Sequence, residues 1–211
     1  MSEDIFRHAD RSLMRIFNEM SREFQKLSSE IGFDELNVLE TRKRVNTMYR
    51  QMDGFIRKEY EDVCRRSYRD ACAEVRRRPD GFDPHEFVYA MLRAYDPLTD
   101  FVYTREWTRK RDRLFESIIA TERGNQEMRK NLKRGLDVLA NQVRQYADDI
   151  TTDARIQAFE DAGLEYVRWK SENDEKTCKY CLENHDKVFR IDQLPPIPPH
   201  WRCRCRVVPV R

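Results

Sequence analysis

Glycine is scarce in this sequence, with 6 among 211 residues. That scarcity argues against an architecture of short strands and tight turns, which draws on glycine wherever the backbone must turn left-handed. Apolar residues are also few, at 39% hydrophobic against 37% charged, a low apolar share for a compact globule. No apolar run approaches the length of a membrane span. The first ten residues carry Glu3, Asp4 and Asp10 and lack an apolar stretch, so they do not read as a secretory signal. The chain is therefore expected to be made in a cytosol and to be used there or packaged from there. No excess of one charge exists either. The 40 Lys+Arg against 38 Asp+Glu leave +2, too little to mark a nucleic-acid binder. What these absences leave is a set of long, wet, amphipathic helices.

Helical spacing accounts for most of the chain. Leu13, Phe17, Met20, Phe24, Leu27 and Ile31 step by four and three, an apolar seam that either packs on its own domain or pairs with a second copy. Gly32 breaks it. A second helix is predicted from about Asp34 to Arg78, with Gly54 weakening its middle and Pro79-Asp80-Gly81 ending it. Asp83-Pro84 opens a short helix to about Ala94, and Asp96-Pro97 closes it. Thr99 or Asp100 caps the next helix, which carries Phe101, Val102, Trp107, Leu114, Phe115 and Ile118. After Gly124-Asn125 a further helix is predicted from Gln126 to about Ile150. Thr151-Thr152-Asp153 is a candidate cap for a last helix, and Gly163 suits its left-handed end.

The pattern changes after Gly163. Glu165 to Lys170, Lys187 to Arg190 and Arg206 to Val208 are short, β-branched or aromatic runs that read as strands. The expected fold class is mainly α with a small C-terminal α+β module: an elongated helical region over residues 1–150, then residues 151–211 with a short antiparallel sheet stapled by a Cys/His site. A module this small needs such a staple.

The staple is visible in the tail. Four of the six cysteines fall there, as Cys178-Lys-Tyr-Cys181 and His200-Trp-Arg-Cys203-Arg-Cys205, separated by a stretch with Pro195, Pro196, Pro198 and Pro199. Two chelating pairs joined by a longer loop are what a tetrahedral zinc ion requires. In a reducing compartment clustered cysteines are metal ligands more often than disulfides. The expected ligands are Cys178, Cys181, His200 and Cys203. Cys205 shares a side of an extended chain with Cys203 and competes for its place, and His185 is a further alternate. A set rich in thiolates favours a structural ion over a catalytic one. Asp174 and Glu183 are the nearby carboxylates that catalysis would need. The basic runs Arg42-Lys43-Arg44, Arg65-Arg66, Arg76-Arg77-Arg78 and Arg109-Lys110-Arg111 read as solvated helical faces. Arg202, Arg204, Arg206 and Arg211, with no acidic neighbour in sequence, point to an acidic partner or a phosphate backbone. Cys64 and Cys72 read as small core residues.

The order of these pieces resembles the C-terminal domain of the phage minor head, or head morphogenesis, protein family typified by the F protein of phage Mu. The residues that carry the resemblance are Asp153 to Gly163, Tyr166 to Trp169, Asp174 to Cys181, Lys187 to Phe189, Pro195-Pro196 and Pro199 to Cys205. It covers about residues 150–211. Family members commonly have Gly where Asp186 stands, so Asp186 must adopt the turn that Gly permits, and many carry Pro at the position of Trp201. The resemblance implies a bacteriophage minor capsid protein of the virion, assembled in the host cytoplasm, portal-associated, and not an enzyme. Its partners would be portal and capsid proteins, with packaged DNA reached through the arginine-rich segments and a second copy through the N-terminal helix. The rival functions are a zinc-containing nucleic-acid-binding protein and a nuclease or toxin-like effector.

Overall fold

The computed structural model describes residues 5–30, 37–93, 103–121, 125–200 and 203–210. The elements expected at Ile31, Gly32, Asp34, Ala94, Asp96-Pro97, Thr99, Asp100, Phe101, Val102 and Gly124, and the side chains of Trp201, Arg202 and Arg211, lie outside them. Five helices precede the tail: α1 (Arg7–Glu30), α2 (Val38–Glu74), α3 (Pro84–Met91), α4 (Tyr103–Ile119) and α5 (Asn125–Asp161). The tail follows with β1 (Tyr166–Lys170), the short helix α6 (Lys179–Asn184), β2 (Val188–Arg190), a 3-10 turn at Ile191–Gln193 and β3 (Arg206–Pro209). The fold is thus mainly helical with a three-stranded antiparallel sheet at its C-terminal end, as the sequence pattern indicates.

The chain forms two compact units. One comprises Ser12–Glu59 and Tyr89–Arg144. Here the apolar seam of α1 is spent inside the chain, since Leu13, Met20, Phe24 and Leu27 are all buried. They share the interior with Val45, Met48, Tyr49, Met52 and Ile56 of α2 and with Trp107, Leu114, Phe115 and Ile118 of α4. Trp107 meets Tyr49 edge-on at 5.2 Å between ring centroids and stacks on Tyr103 at 5.7 Å. Gly135 of α5 lets its helix approach closely: a β-carbon there would lie 2.9 Å from Leu114 and 3.4 Å from Phe24. Arg42 lies over the Phe115 ring at 4.6 Å with Asp112 at 3.9 Å. The expected solvated basic faces take the form of local ion pairs such as Arg44–Glu40 and Arg109–Glu106.

The other unit comprises Met1–Arg11, Tyr60–Val88 and Gln145–Arg211. Small residues at Ala147, Ala154 and Ala158 make one buried stripe of α5, with Ile150 between them. The sequence pattern placed a cap at Thr151-Thr152-Asp153, yet α5 runs through without interruption. The reason lies in the hydroxyls: Thr151 and Thr152 donate to the carbonyls of Ala147 and Asp148 one turn back. The same side chains that cap a helix start can bond within a helix when packing holds the backbone helical. The buried Arg155 guanidinium is held by both carboxylate oxygens of Glu74 at 2.8 Å. Tyr68 donates to Asp161 at 2.6 Å and stacks on Phe82. His8 and Arg7 converge on Asp70 at 2.8 and 2.6 Å.

Helix ends follow the expected chemistry with one exception. α5 ends in a Schellman arrangement: Gly163 sits at φ 73, its N–H donates to Glu160, and Leu164 N–H donates to Phe159. α2 ends the same way before Pro79-Asp80-Gly81 is reached, with Arg76 at φ 58 in the glycine position and Arg77 N–H on Cys72. Gly54 does not interrupt α2.

Two substitutions test these accounts by denaturant unfolding. Gly54 is in a helix interior with open space where a β-carbon would stand, so Gly54→Ala is expected to raise stability by about 0.5–1 kcal/mol. Glu74→Gln leaves the buried Arg155 without its countercharge and is expected to lower stability by about 3 kcal/mol.

Candidate metal centre

The sheet positions the centre. Strand order is β2-β1-β3, all antiparallel, with Val167 opposite Phe189 and Trp169 opposite Val207. The alternation of β1 sends Val167 and Trp169 inward, both fully buried. Trp169 meets Tyr180 of α6 and Phe189 of β2 edge-on, at 6.0 and 6.2 Å. Its indole thus anchors the segment that bears Cys178 and Cys181. Asp186 makes the turn from α6 toward β2 at φ 65, as required of a residue standing at a glycine position. It is held there by Lys170, and its N–H donates to Trp169 O at 2.8 Å. The ammonium of Lys170 also keeps the Asp186 carboxyl below the usual range.

Each cysteine arm is shaped by the backbone. Cys178 is the N-cap of α6, and its sulfur accepts the Cys181 N–H at 3.4 Å. On the other arm, Cys203 N–H closes a turn on His200 O at 3.2 Å, and the Cys203 sulfur accepts the Cys205 N–H at 3.4 Å. Backbone N–H groups aimed at sulfur favour the thiolate, the form that binds metal. Between the arms lie Leu194 to Pro199, with Ile197 and Pro198 buried and a cis bond joining them.

The arms bring five donors together. Cys178, Cys181 and His200 form one triad and Cys181, Cys203 and Cys205 another, each with its ligand atoms within 4.8 Å. Cys181 Sγ lies 3.5 Å from Cys203 Sγ and 3.8 Å from His200 Nε2, and His200 Nε2 lies 3.0 Å from Cys178 Sγ. Tetrahedral zinc with Zn–S near 2.3 Å sets its sulfurs about 3.8 Å apart; the Cys181–Cys203 pair is near that spacing, and the four expected ligands are divided between the two triads. All six cysteines are free thiols, with Cys64 and Cys72 buried in α2.

Crowding sets the proton affinities. The Cys205 thiol hydrogen-bonds to Cys203 and, against burial, brings Cys203 down to about 6. The same bond, with burial, pushes Cys205 up. Burial raises Cys181 to about 12. At Cys178 burial works against ionisation, and hydrogen bonds from Cys181 and His200 outweigh it to lower the pKa. Adjacent thiols cannot all ionise without a cation between them, and a bound metal ion supplies that charge.

The sixth predicted donor lies elsewhere. His185 Nδ1 accepts from the Ser171 N–H at 3.2 Å and bonds the Ser171 hydroxyl at 2.8 Å, and its Nε2 faces Asp186 at 3.3 Å. The carboxylates considered for catalysis are also engaged. Glu183 faces Lys179, and Asp174 takes a bidentate contact from Arg204 that holds its carboxyl far below the usual range. Arg204 and Arg206, which have no acidic neighbour in sequence, find Asp174 and Glu172 in space. Those pairings span 30 and 34 residues, and no local pattern announces them.

This is a mainly helical protein with a small C-terminal sheet beside a cluster of thiols and one imidazole that could hold a metal ion. Residues 111–208 match the family described as phage Mu protein F like protein. The match supports the resemblance carried by the tail motifs and points to a role in phage head morphogenesis. It begins within α4, well upstream of the first motif residue, and covers just under half of the chain. No curated protein and no solved structure matches. No helix among the described residues is long and apolar enough to cross a membrane.

Cys181 belongs to both triads, whereas Cys205 belongs to one and is the alternate to Cys203 in the expected ligand set. Cys181→Ser is expected to abolish retention of zinc by the purified reduced protein. Cys205→Ser is expected to keep about one equivalent, close to wild type. Metal analysis of the two variants checks the ranking.

Proposed function

We propose that the chain is a minor structural component of a phage head. It is assembled in the host cytoplasm, carried in the virion, associated with the portal or inner capsid during head assembly, and active in DNA packaging or delivery without catalysing a reaction. The observation that carries this reading is the family match, which spans the thiol-rich tail together with α5 and the end of α4. Residues 151–211 act in it as the family-specific module, and residues 1–150 supply helical surface for capsid partners. The module is stapled by one structural zinc ion on Cys178, Cys181, His200 and Cys203, the donors that suit a soft divalent cation. Bound there, zinc would cross-link the two cysteine arms; the chain's own residues orient the sulfurs and shield them from water.

The engagement of Arg204 and Arg206 by acidic side chains weighs against the tail as a phosphate-binding surface. The engagement of His185 and Glu183 weighs against a nuclease.

Mass spectrometry of heads purified from the phage that encodes the chain tests the proposal. The chain should be present at far fewer copies than the major capsid protein, and its deletion should lower the yield of DNA-filled heads. Absence from the heads together with normal yield on deletion would remove the proposal.

A further inference from the structure

The β1/β3 ladder ends at Lys170 and Arg206, which are backbone partners. Beyond that point the two segments continue toward the cysteine arms. Two ion pairs join them there. Arg206 donates to Glu172 at 2.7 Å, and Arg204 donates to both oxygens of Asp174 at 2.8 and 2.6 Å. Both pairs have the same two-residue offset from the ladder register in sequence, although the chain leaves the strand after Lys170 and turns through Asn173 at φ 56 before Asp174. Side chains thus carry the pairing onward where backbone bonds stop.

The second pair links the segments that carry the two halves of the cluster. Arg204 is flanked by Cys203 and Cys205. Asp174 opens the turn that ends at Cys178 and is itself fixed: its carboxylate accepts from the Lys176 N–H and the Thr177 hydroxyl, each at 3.0 Å, and its own N–H donates to the Thr177 hydroxyl at 3.0 Å. Thr177 N–H closes the same turn on Asp174 O at 2.9 Å. A planar guanidinium on a carboxylate held in this way fixes direction as well as distance. From Cys203 to Arg206, on the approach to β3, buried cysteines and arginines alternate, so a slip of one residue would exchange Cys203 and Cys205 for arginine beside Cys181.

We propose that Asp174 and Arg204 are positioning residues of the metal centre, a clamp that sets the His200–Cys203 arm in register against the Cys178–Cys181 arm. The clamp rests on the reading of the cluster as a metal site. It also assigns Arg204 an internal partner in place of a phosphate.

Competition of the full-length reduced protein with a chromophoric zinc chelator tests it. Asp174→Asn and Arg204→Gln are each expected to weaken zinc binding about five- to tenfold. The double variant should be no weaker than either single one, and Arg204→Lys should recover part of the loss, since the charge returns without the fork. Arg190→Gln, which removes a pair with Asp192 on the exposed edge of β2, should bind as wild type does. The cobalt-substituted variants should keep the wild-type thiolate charge-transfer intensity, because all ligands remain. Zinc affinity within twofold of wild type in both single variants, or additive losses in the double, would overturn the clamp and leave the metal site standing. A wild-type chain that takes up no zinc would overturn both. Should Arg204→Gln fail to fold, Asp174→Asn and Arg204→Lys decide the question.

Discussion

The C-terminal tail has too little apolar surface to hold itself. From Val167 to Val207 the buried apolar residues among the described ones are Val167, Trp169, Cys181, Ile191, Ile197, Pro198, Cys203, Cys205 and Val207, so three of the nine are cysteines. A buried aliphatic side chain contributes roughly 1.5–3 kcal/mol, while ordering each residue costs about 1–2 kcal/mol. A sheet of three short strands around one tryptophan does not offset that cost through burial alone. Everything else in the tail is arranged around this shortage. Trp169 ties β1 to α6 and β2, the ion pairs tie the ends of the ladder, and the thiols meet where a hydrophobic core would otherwise be.

A sulfur core of this kind is not equivalent to an aliphatic one. Cys203 is pulled toward ionisation while Cys205 and Cys181 are pushed away from it. With a divalent cation at the centre several sulfurs would ionise together, and the binding energy would become folding energy for the segment. The two N–H···S contacts are already in place for the Cys178 and Cys203 sulfurs. The other unit needs no such device, since α1, α2, α4 and α5 bury long apolar stripes against one another.

Much of this was legible in the residues because the signals are local. The alternation in Tyr166 to Lys170 marks a strand whose inward residues are Val167 and Trp169, and Gly163 marks a helix end through its left-handed backbone. The cysteine spacings mark two arms. What was not legible depends on residues far apart. Thr151 and Thr152 are equally suited to start a helix or to bond back within one, and only the packing of α5 decides. Arg76 takes a position that glycine usually fills, so the end of α2 has no marker. The partners of Arg204 and Arg206 lie thirty or more residues upstream, and the N–H that Cys205 donates to the Cys203 sulfur is set by backbone geometry rather than by spacing.

The charge pattern has the same lesson for partners. A chain with 40 basic residues invites a reading in terms of nucleic acid, but many of the arginines are matched where they stand. Arg44 lies between Glu30 and Glu40, Arg65 and Arg66 share Asp62, and Arg109 and Lys110 share Glu106. Each such pair adds little stability, on the order of 0–1 kcal/mol at an exposed site. Collectively they leave a weak long-range field, because opposite charges a few ångströms apart cancel beyond a Debye length of about 8 Å. A surface of that kind does not steer a polyanion from a distance. It is suited to contacts made after encounter, in which shape and short-range pairing choose the partner.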